Sequence, residues 1–126
     1  MIAVSWLVLS IQLGIWNSNV LPMPEEMARE FTQAMRLDEA SLFVLLSVVA
    51  FSPAVCEELL FRGAILSGLE KRLPAWALIP LVGILFGRFH ISIYRLVLTG
   101  LTGIMLTYNV WRTRSLWNGI LMHFLF

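Results

Sequence analysis

Long apolar runs constrain the fold of this chain more than any other feature of its sequence. A helix that spans a membrane needs about 20 predominantly apolar residues, and most of the sequence divides into stretches approaching that length. The pattern predicts an all-α fold, a polytopic bundle of about four to five transmembrane helices. The stretches are Ile2 to Trp16, Ser41 to Leu69 with a break at Pro53, Ala75 to Gly87, Phe89 to Trp111, and Ser115 to Phe126.

Composition excludes several other classes of protein. Hydrophobic residues make up 59% of the 126 and charged residues only 13%, whereas soluble domains carry about 25% charge. The apolar fraction argues against disorder, and a net charge of +1 argues against a nucleic-acid partner. The only cysteine, Cys56, excludes a disulfide framework. We therefore expect a multi-pass integral membrane protein in contact with the lipid bilayer, in the cell membrane if the source is prokaryotic.

One polar segment interrupts the apolar runs. Seven of the 17 charged residues lie between Pro22 and Ala40, with apolar residues at helical spacing among them. This arrangement predicts an amphipathic connector over residues 21–40, within a single domain covering residues 1–126.

The two terminal stretches are short for spanning helices. Ile2 to Trp16 has fifteen residues and Ser115 to Phe126 has twelve, against the requirement of about 20. We expect the chain to be a fragment of a longer polypeptide, truncated at one or both ends, whose additional transmembrane domains could be its partners.

Two adjacent carboxylates interrupt the middle of an apolar run. A charge at the centre of a membrane helix costs at least about 2.5–3.5 kcal/mol, so Glu57 and Glu58 need a reason to be there. Glu58 and Arg62 are four residues apart and predict a salt bridge on one helix face. That pairing leaves Glu57 without a partner in its own turn, which suits a general base.

The two histidines, His90 and His123, also lie among apolar residues. With Glu57 they supply the groups needed to activate a water and stabilise an oxyanion, or three ligands for a metal. The sequence contains neither H-E-x-x-H nor G-x-S-x-G. We expect the three side chains to converge on one polar cavity, with Glu57 and His90 within about 6 Å.

Three motifs resemble one known family. Glu57-Glu58-Leu59-Leu60-Phe61-Arg62-Gly63 resembles the EExxxR motif of the CAAX-protease and bacteriocin-processing family of intramembrane proteases. Phe86-Gly87-Arg88-Phe89-His90 is similar to its FxxxH motif. His123 matches the histidine of the third motif, which usually continues to an asparagine four residues later, here position 127. The motifs extend over about half of the chain, in the family's order.

The resemblance implies a type II CAAX prenyl protease-like endopeptidase that cleaves membrane-associated or prenylated (CAAX-type) peptides. Glu57 would activate the water, His90 would assist it, and His123 would bind the oxyanion or complete the polar site. The family has been described both as metal-dependent and as purely glutamate-dependent, so a divalent metal such as zinc, held by the same three residues, stays open. Structural support is implied for Glu58, Arg62 and Phe86.

Two other functions remain open at this stage. A non-catalytic membrane interaction protein, such as a bacteriocin self-immunity factor or a module fused to a transporter, would tolerate loss of Glu57. An ion or proton pathway would conduct in a manner that depends on Glu57 and His90.

Overall fold

The computed structural model describes residues 2–34 and 41–125, in which every regular element is a helix. The all-α part of the predicted fold is therefore confirmed. Within those two ranges, no helical segment of uniform pitch has both the length and the apolar character needed to cross a membrane. The elements are α1 (Ile2–Val20), α2 (Glu25–Ala34), a long third helix α3 (residues 42–69), α4 (Ala75–Phe89), α5 (Ile93–Thr113) and α6 (Leu116–Phe124).

The predicted connector over residues 21–40 contains α2. This helix begins with Glu25 and Glu26, whose negative charges suit the positive end of the helix dipole. Glu25 also pairs with Arg29 at 3.3 Å on the exposed surface. Residues 35–40, the rest of the predicted connector, lie outside the described part of the chain, and its role as a connector stays a prediction.

The helix that carries the glutamate pair changes pitch several times. Residues 42–69, here called α3, form one continuous succession: α-helical Leu42–Leu45, π-helical Leu46–Phe51, α-helical Ser52–Glu58, π-helical Leu59–Leu66 and α-helical Ser67–Leu69.

The first π-helical segment explains why α3 continues through Pro53. A proline has no N–H to donate, and its ring clashes with the carbonyl four residues earlier in an α-helix. Pro53 lies directly after the π-helical segment, near the start of Ser52–Glu58. Pro53 is thus in the first turn of that stretch, where an N–H group has no α-helical acceptor, so its missing N–H breaks no α-helical bond. The predicted break at Pro53 is therefore a change of pitch within a continuous helix.

Helices α4 and α5 pack closely because glycines line their crossing. A Cβ atom added to Gly83 would lie 2.5 Å from the backbone nitrogen of Ile104, and one added to Gly87 would lie 2.8 Å from Gly100 Cα. Small residues allow two helix backbones to approach this closely. A hydrophobic core joins these helices to α3 and contains Phe61, Leu66, Leu78, Val82, Phe86 and Val110.

We expect Gly83→Ala to destabilise the protein by about 1–3 kcal/mol, because overpacking forces backbone shifts. The new methyl group would meet Ile104 Cγ1 at 2.3 Å and Ile104 Cα at 2.7 Å. Gly100→Ala is the matched control, since nothing lies within 4 Å of a Cβ there. Thermal unfolding in detergent should show a lower Tm for the first variant only. Equal Tm values would contradict the close crossing.

Two residues in the left-handed region end α4 and α5. Ile91 has φ 54° and Arg114 has φ 56°, a conformation that terminates a helix and that glycine usually supplies. The predicted start of a helix at Phe89 is therefore wrong. Residues 90–92 form the turn between the two helices, and α5 begins at Ile93. After Arg114, the Ser115 hydroxyl accepts a hydrogen bond from the Asn118 N–H and caps α6.

Candidate active site

Three helices bring Glu57, His90 and His123 together. Glu57 lies on the α-helical stretch of α3 between the two π-helical segments, His90 directly follows α4, and His123 lies on α6. Glu57 Oε2 is 3.8 Å from His90 Nε2 and 3.8 Å from His123 Nε2. The first distance is shorter than the expected limit of about 6 Å for one shared water. The side chains are 18–28% exposed, so the group is reachable but largely enclosed.

Hydrogen bonds on the far side of each imidazole determine which nitrogen faces Glu57 as an acceptor. His90 Nδ1 is 3.0 Å from the Phe86 carbonyl oxygen, and His123 Nδ1 is 3.0 Å from Glu58 Oε1. A carbonyl and an ionised carboxylate only accept hydrogen bonds, so each Nδ1 is the donor. In a neutral imidazole the Nε2 atom then carries no hydrogen. Two proton acceptors and the Glu57 carboxylate therefore converge.

Glu58 and Arg62 form the ion pair that their spacing predicts. Arg62 Nη1 donates to Glu58 Oε1 at 2.8 Å, and both side chains are fully buried. The same oxygen accepts the bond from His123, so Glu58 connects the arginine to the histidine. The contact between Glu58 and His123 could not be seen in the sequence, because 65 residues separate the two positions.

Helix α5 supplies two further partners that the sequence analysis missed. The Gly103 carbonyl accepts a bond from Arg62 Nη2 at 2.8 Å, and the Thr107 hydroxyl accepts one from Arg62 Nε at 3.2 Å. Thr107 is fully buried. In the sequence, Thr107 is marked only as a polar residue within an apolar helix, and that does not identify its partner.

The ring of Phe86 packs between the arginine and the histidines. The Arg62 guanidinium carbon lies 4.5 Å from the ring centroid, within the range of a cation–π interaction. The His90 and His123 rings lie 4.9 Å and 5.5 Å from it. The Phe86 carbonyl also accepts the bond from His90 Nδ1, so the residue contacts the candidate site through both its side chain and its backbone.

Gly119 on α6 makes room for the Glu58 carboxylate. A Cβ at this position would lie 2.7 Å from Glu58 Oε2 and 2.6 Å from Val110 Cγ2. In the sequence, the only feature that relates this glycine to the site is its position four residues before His123 and therefore on the same helix face.

A cavity of about 430 Å³ lies beside the two histidines, between α1 and α5. The imidazoles of His90 and His123 line the cavity together with Phe86. Most of the exposed wall is apolar, although the hydroxyls of Ser10, Thr99 and Thr102 also line it. Such a wall suits an apolar ligand with its polar part at the histidines. The apolar side chains include Leu7, Ile11 and Leu98.

The three side chains do not meet the geometry of a metal site. Two ligands of a tetrahedral zinc ion, each about 2.0–2.1 Å from the metal, lie about 3.3 Å apart, whereas the nitrogen–oxygen separations here are 3.8 Å. Nowhere in the described ranges is a group of three or more His, Cys, Asp or Glu side chains arranged to hold a metal ion.

Comparison with known proteins identifies the family. A family model described as "Type II CAAX prenyl endopeptidase Rce1-like" matches residues 39–126, which include every residue of the site. Searches of curated proteins and of solved structures found no significant match. The matched segment covers more than half of the chain, and the chain belongs to the Rce1-like family of type II CAAX prenyl endopeptidases.

Proposed function

We propose that this protein is an intramembrane endopeptidase that cleaves prenylated, CAAX-type peptides with a water activated by Glu57. The observation that carries the proposal is the convergence of Glu57 Oε2 with the Nε2 atoms of both histidines at 3.8 Å. That separation exceeds the limit of about 3.5 Å for a direct hydrogen bond and is one that a bridging water spans. Glu57 Oε2 is buried and accepts no hydrogen bond from any described residue.

The proposed reaction is hydrolysis of a peptide carbonyl. The water donates one proton to Glu57 and attacks the scissile carbon, which gives a tetrahedral oxyanion. His90 orients the water through Nε2. His123 binds a proton from solvent at Nε2 before the substrate enters and is then an imidazolium between the Glu57 and Glu58 carboxylates. It donates this proton as a hydrogen bond to the oxyanion and keeps it throughout the reaction. Collapse of the intermediate breaks the carbon–nitrogen bond, and the proton held by Glu57 passes to the leaving amine. The products are a carboxylic acid and an amine, with one water consumed.

The cavity and the outer surface support a substrate presented from a lipid phase. The apolar walls of the 430 Å³ cavity suit a prenyl chain or an apolar peptide segment. Large apolar side chains also face outward, including Phe43 at 78%, Trp76 at 80% and Ile91 at 93% exposed. Such surfaces are typical of proteins that contact membranes, and they support the proposal of an integral membrane location.

The test is cleavage of a farnesylated CAAX peptide by the purified chain in liposomes, compared with the same peptide lacking the lipid. Mass spectrometry in ¹⁸O-labelled water should show one ¹⁸O atom in the new carboxylate. We expect cleavage of the farnesylated peptide and little of the control. If neither peptide is cleaved, the endopeptidase proposal is contradicted.

A further inference from the structure

Thr107 directs its single hydroxyl hydrogen away from Arg62. The hydroxyl lies 2.7 Å from the Gly103 carbonyl oxygen, to which it donates, and 3.2 Å from Arg62 Nε, from which it accepts. Arginine only donates, so this assignment of the hydrogen is the one that satisfies both bonds. Thr107 is fully buried, and water does not compete for these bonds.

Two acceptors on α5 fix the orientation of the guanidinium plane. Gly103 and Thr107 are one helical turn apart, and they accept from Arg62 Nη2 and Nε respectively. The remaining nitrogen, Nη1, is then directed at Glu58 Oε1 at 2.8 Å. A planar guanidinium held at two nitrogens has a fixed direction for the third.

The orientation of Arg62 reaches the histidine through one shared atom. Glu58 Oε1 accepts from both Arg62 Nη1 and His123 Nδ1. A change in the bond from Arg62 Nη1 therefore alters both the position of Glu58 Oε1 and the negative charge on it. His123 Nδ1 donates to this same oxygen. Outer partners of this kind orient reactive side chains, and their loss typically lowers activity by about 10- to 100-fold.

We propose that Thr107 is a positioning residue that orients His123 through Arg62 and Glu58. The inference rests on the proposed function only for its effect on the rate. The path from Thr107 to His123 is a property of the fold and can be measured without any substrate.

The first experiment compares Thr107→Val, which removes only the hydroxyl from a β-branched side chain, with Thr107→Ser, which keeps it. Thr113→Val is the matched control, because Thr113 makes the same bond to a carbonyl four residues earlier but is exposed. We expect Thr107→Val to lower kcat about tenfold with KM unchanged. Thr107→Ser should restore most of the rate, and Thr113→Val should behave as wild type.

The second experiment records the imidazole ¹⁵N signals of protein labelled at histidine. The chain has two histidines, so the spectrum contains only two rings. Thr107→Val should shift the His123 signals, and Thr113→Val should not.

The two experiments distinguish a failure of the positioning role of Thr107 from a failure of the proposed function. Unmoved His123 signals in Thr107→Val would overturn the positioning role, whatever the activity. So would an unchanged kcat in Thr107→Val while Glu57→Gln is inactive. Equal activity of Glu57→Gln and wild type would instead overturn the proposed function, and a shifted His123 signal in Thr107→Val would still support the positioning path.

Discussion

Replacing Glu57 with glutamine should lower the rate of peptide hydrolysis by about 10²- to 10⁴-fold, the usual contribution of a general base. Glutamine has nearly the same shape but accepts no proton from the water. The substitution also breaks no hydrogen bond at Oε2, because Glu57 Oε2 accepts none from a described residue. Removing a largely enclosed negative charge should therefore leave the folded yield unchanged or higher. The measurement is the cleavage rate per folded molecule in liposomes.

A matched substitution separates loss of the base from a general change in charge. Glu26→Gln makes the same chemical change at an exposed position on α2, and it should keep the wild-type rate. If Glu57→Gln cleaved the peptide as fast as Glu26→Gln, Glu57 would not be the base. If a cellular phenotype were then unaffected by Glu57→Gln but lost on substitution of residues on the outer helix surfaces, the non-catalytic interaction function would be favoured.

Replacing Arg62 with alanine should lower stability by about 3–5 kcal/mol, the usual effect of removing one partner of a buried ion pair. Three acceptors on two helices would each lose the bond that Arg62 donates, namely Glu58 Oε1, the Gly103 carbonyl and the Thr107 hydroxyl. The Glu58 carboxylate would stay fully buried, with its charge balanced less well. Folded yield in membranes and Tm in detergent should both decrease, and activity should decrease with them.

Two comparisons define the role of Arg62. Arg62→Lys should recover only part of the stability, because an ammonium group cannot reproduce three directed bonds in one plane. Arg72→Ala is the control at an exposed position, and it should change Tm little. If Arg62→Ala folded normally and only raised KM, Arg62 would be a substrate-binding residue and the ion pair would not be a structural support.

The convergence of three side chains on a candidate site could be predicted because each is costly in an apolar helix. Glu57, His90 and His123 stood out for this reason, and the structure brings their side chains together. The ion pair of Glu58 with Arg62 could be predicted because it is local, one turn of helix apart. The length of the apolar runs likewise predicted the helical class.

The contacts between distant segments could not be predicted. The bond from His123 to Glu58 and the two acceptors on α5 depend on how helices pack, and a single sequence carries no signal for such pairs. The end of α4 was also missed, because Ile91 adopts a left-handed conformation that glycine or asparagine usually signals. The pitch changes around Pro53 are set by backbone bonding rather than by a recognisable residue pattern.

The most direct test of the account is whether Glu57, His90 and His123 act as one unit. Cleavage rates of a farnesylated CAAX peptide would be measured for Glu57→Gln, His90→Ala, His123→Ala and the triple variant, each normalised to folded protein. Residues that share one reaction step are strongly non-additive, so the triple variant should be about as slow as the slowest single variant. Rate losses that multiply across the three positions, or a histidine variant with the wild-type rate, would contradict a single site.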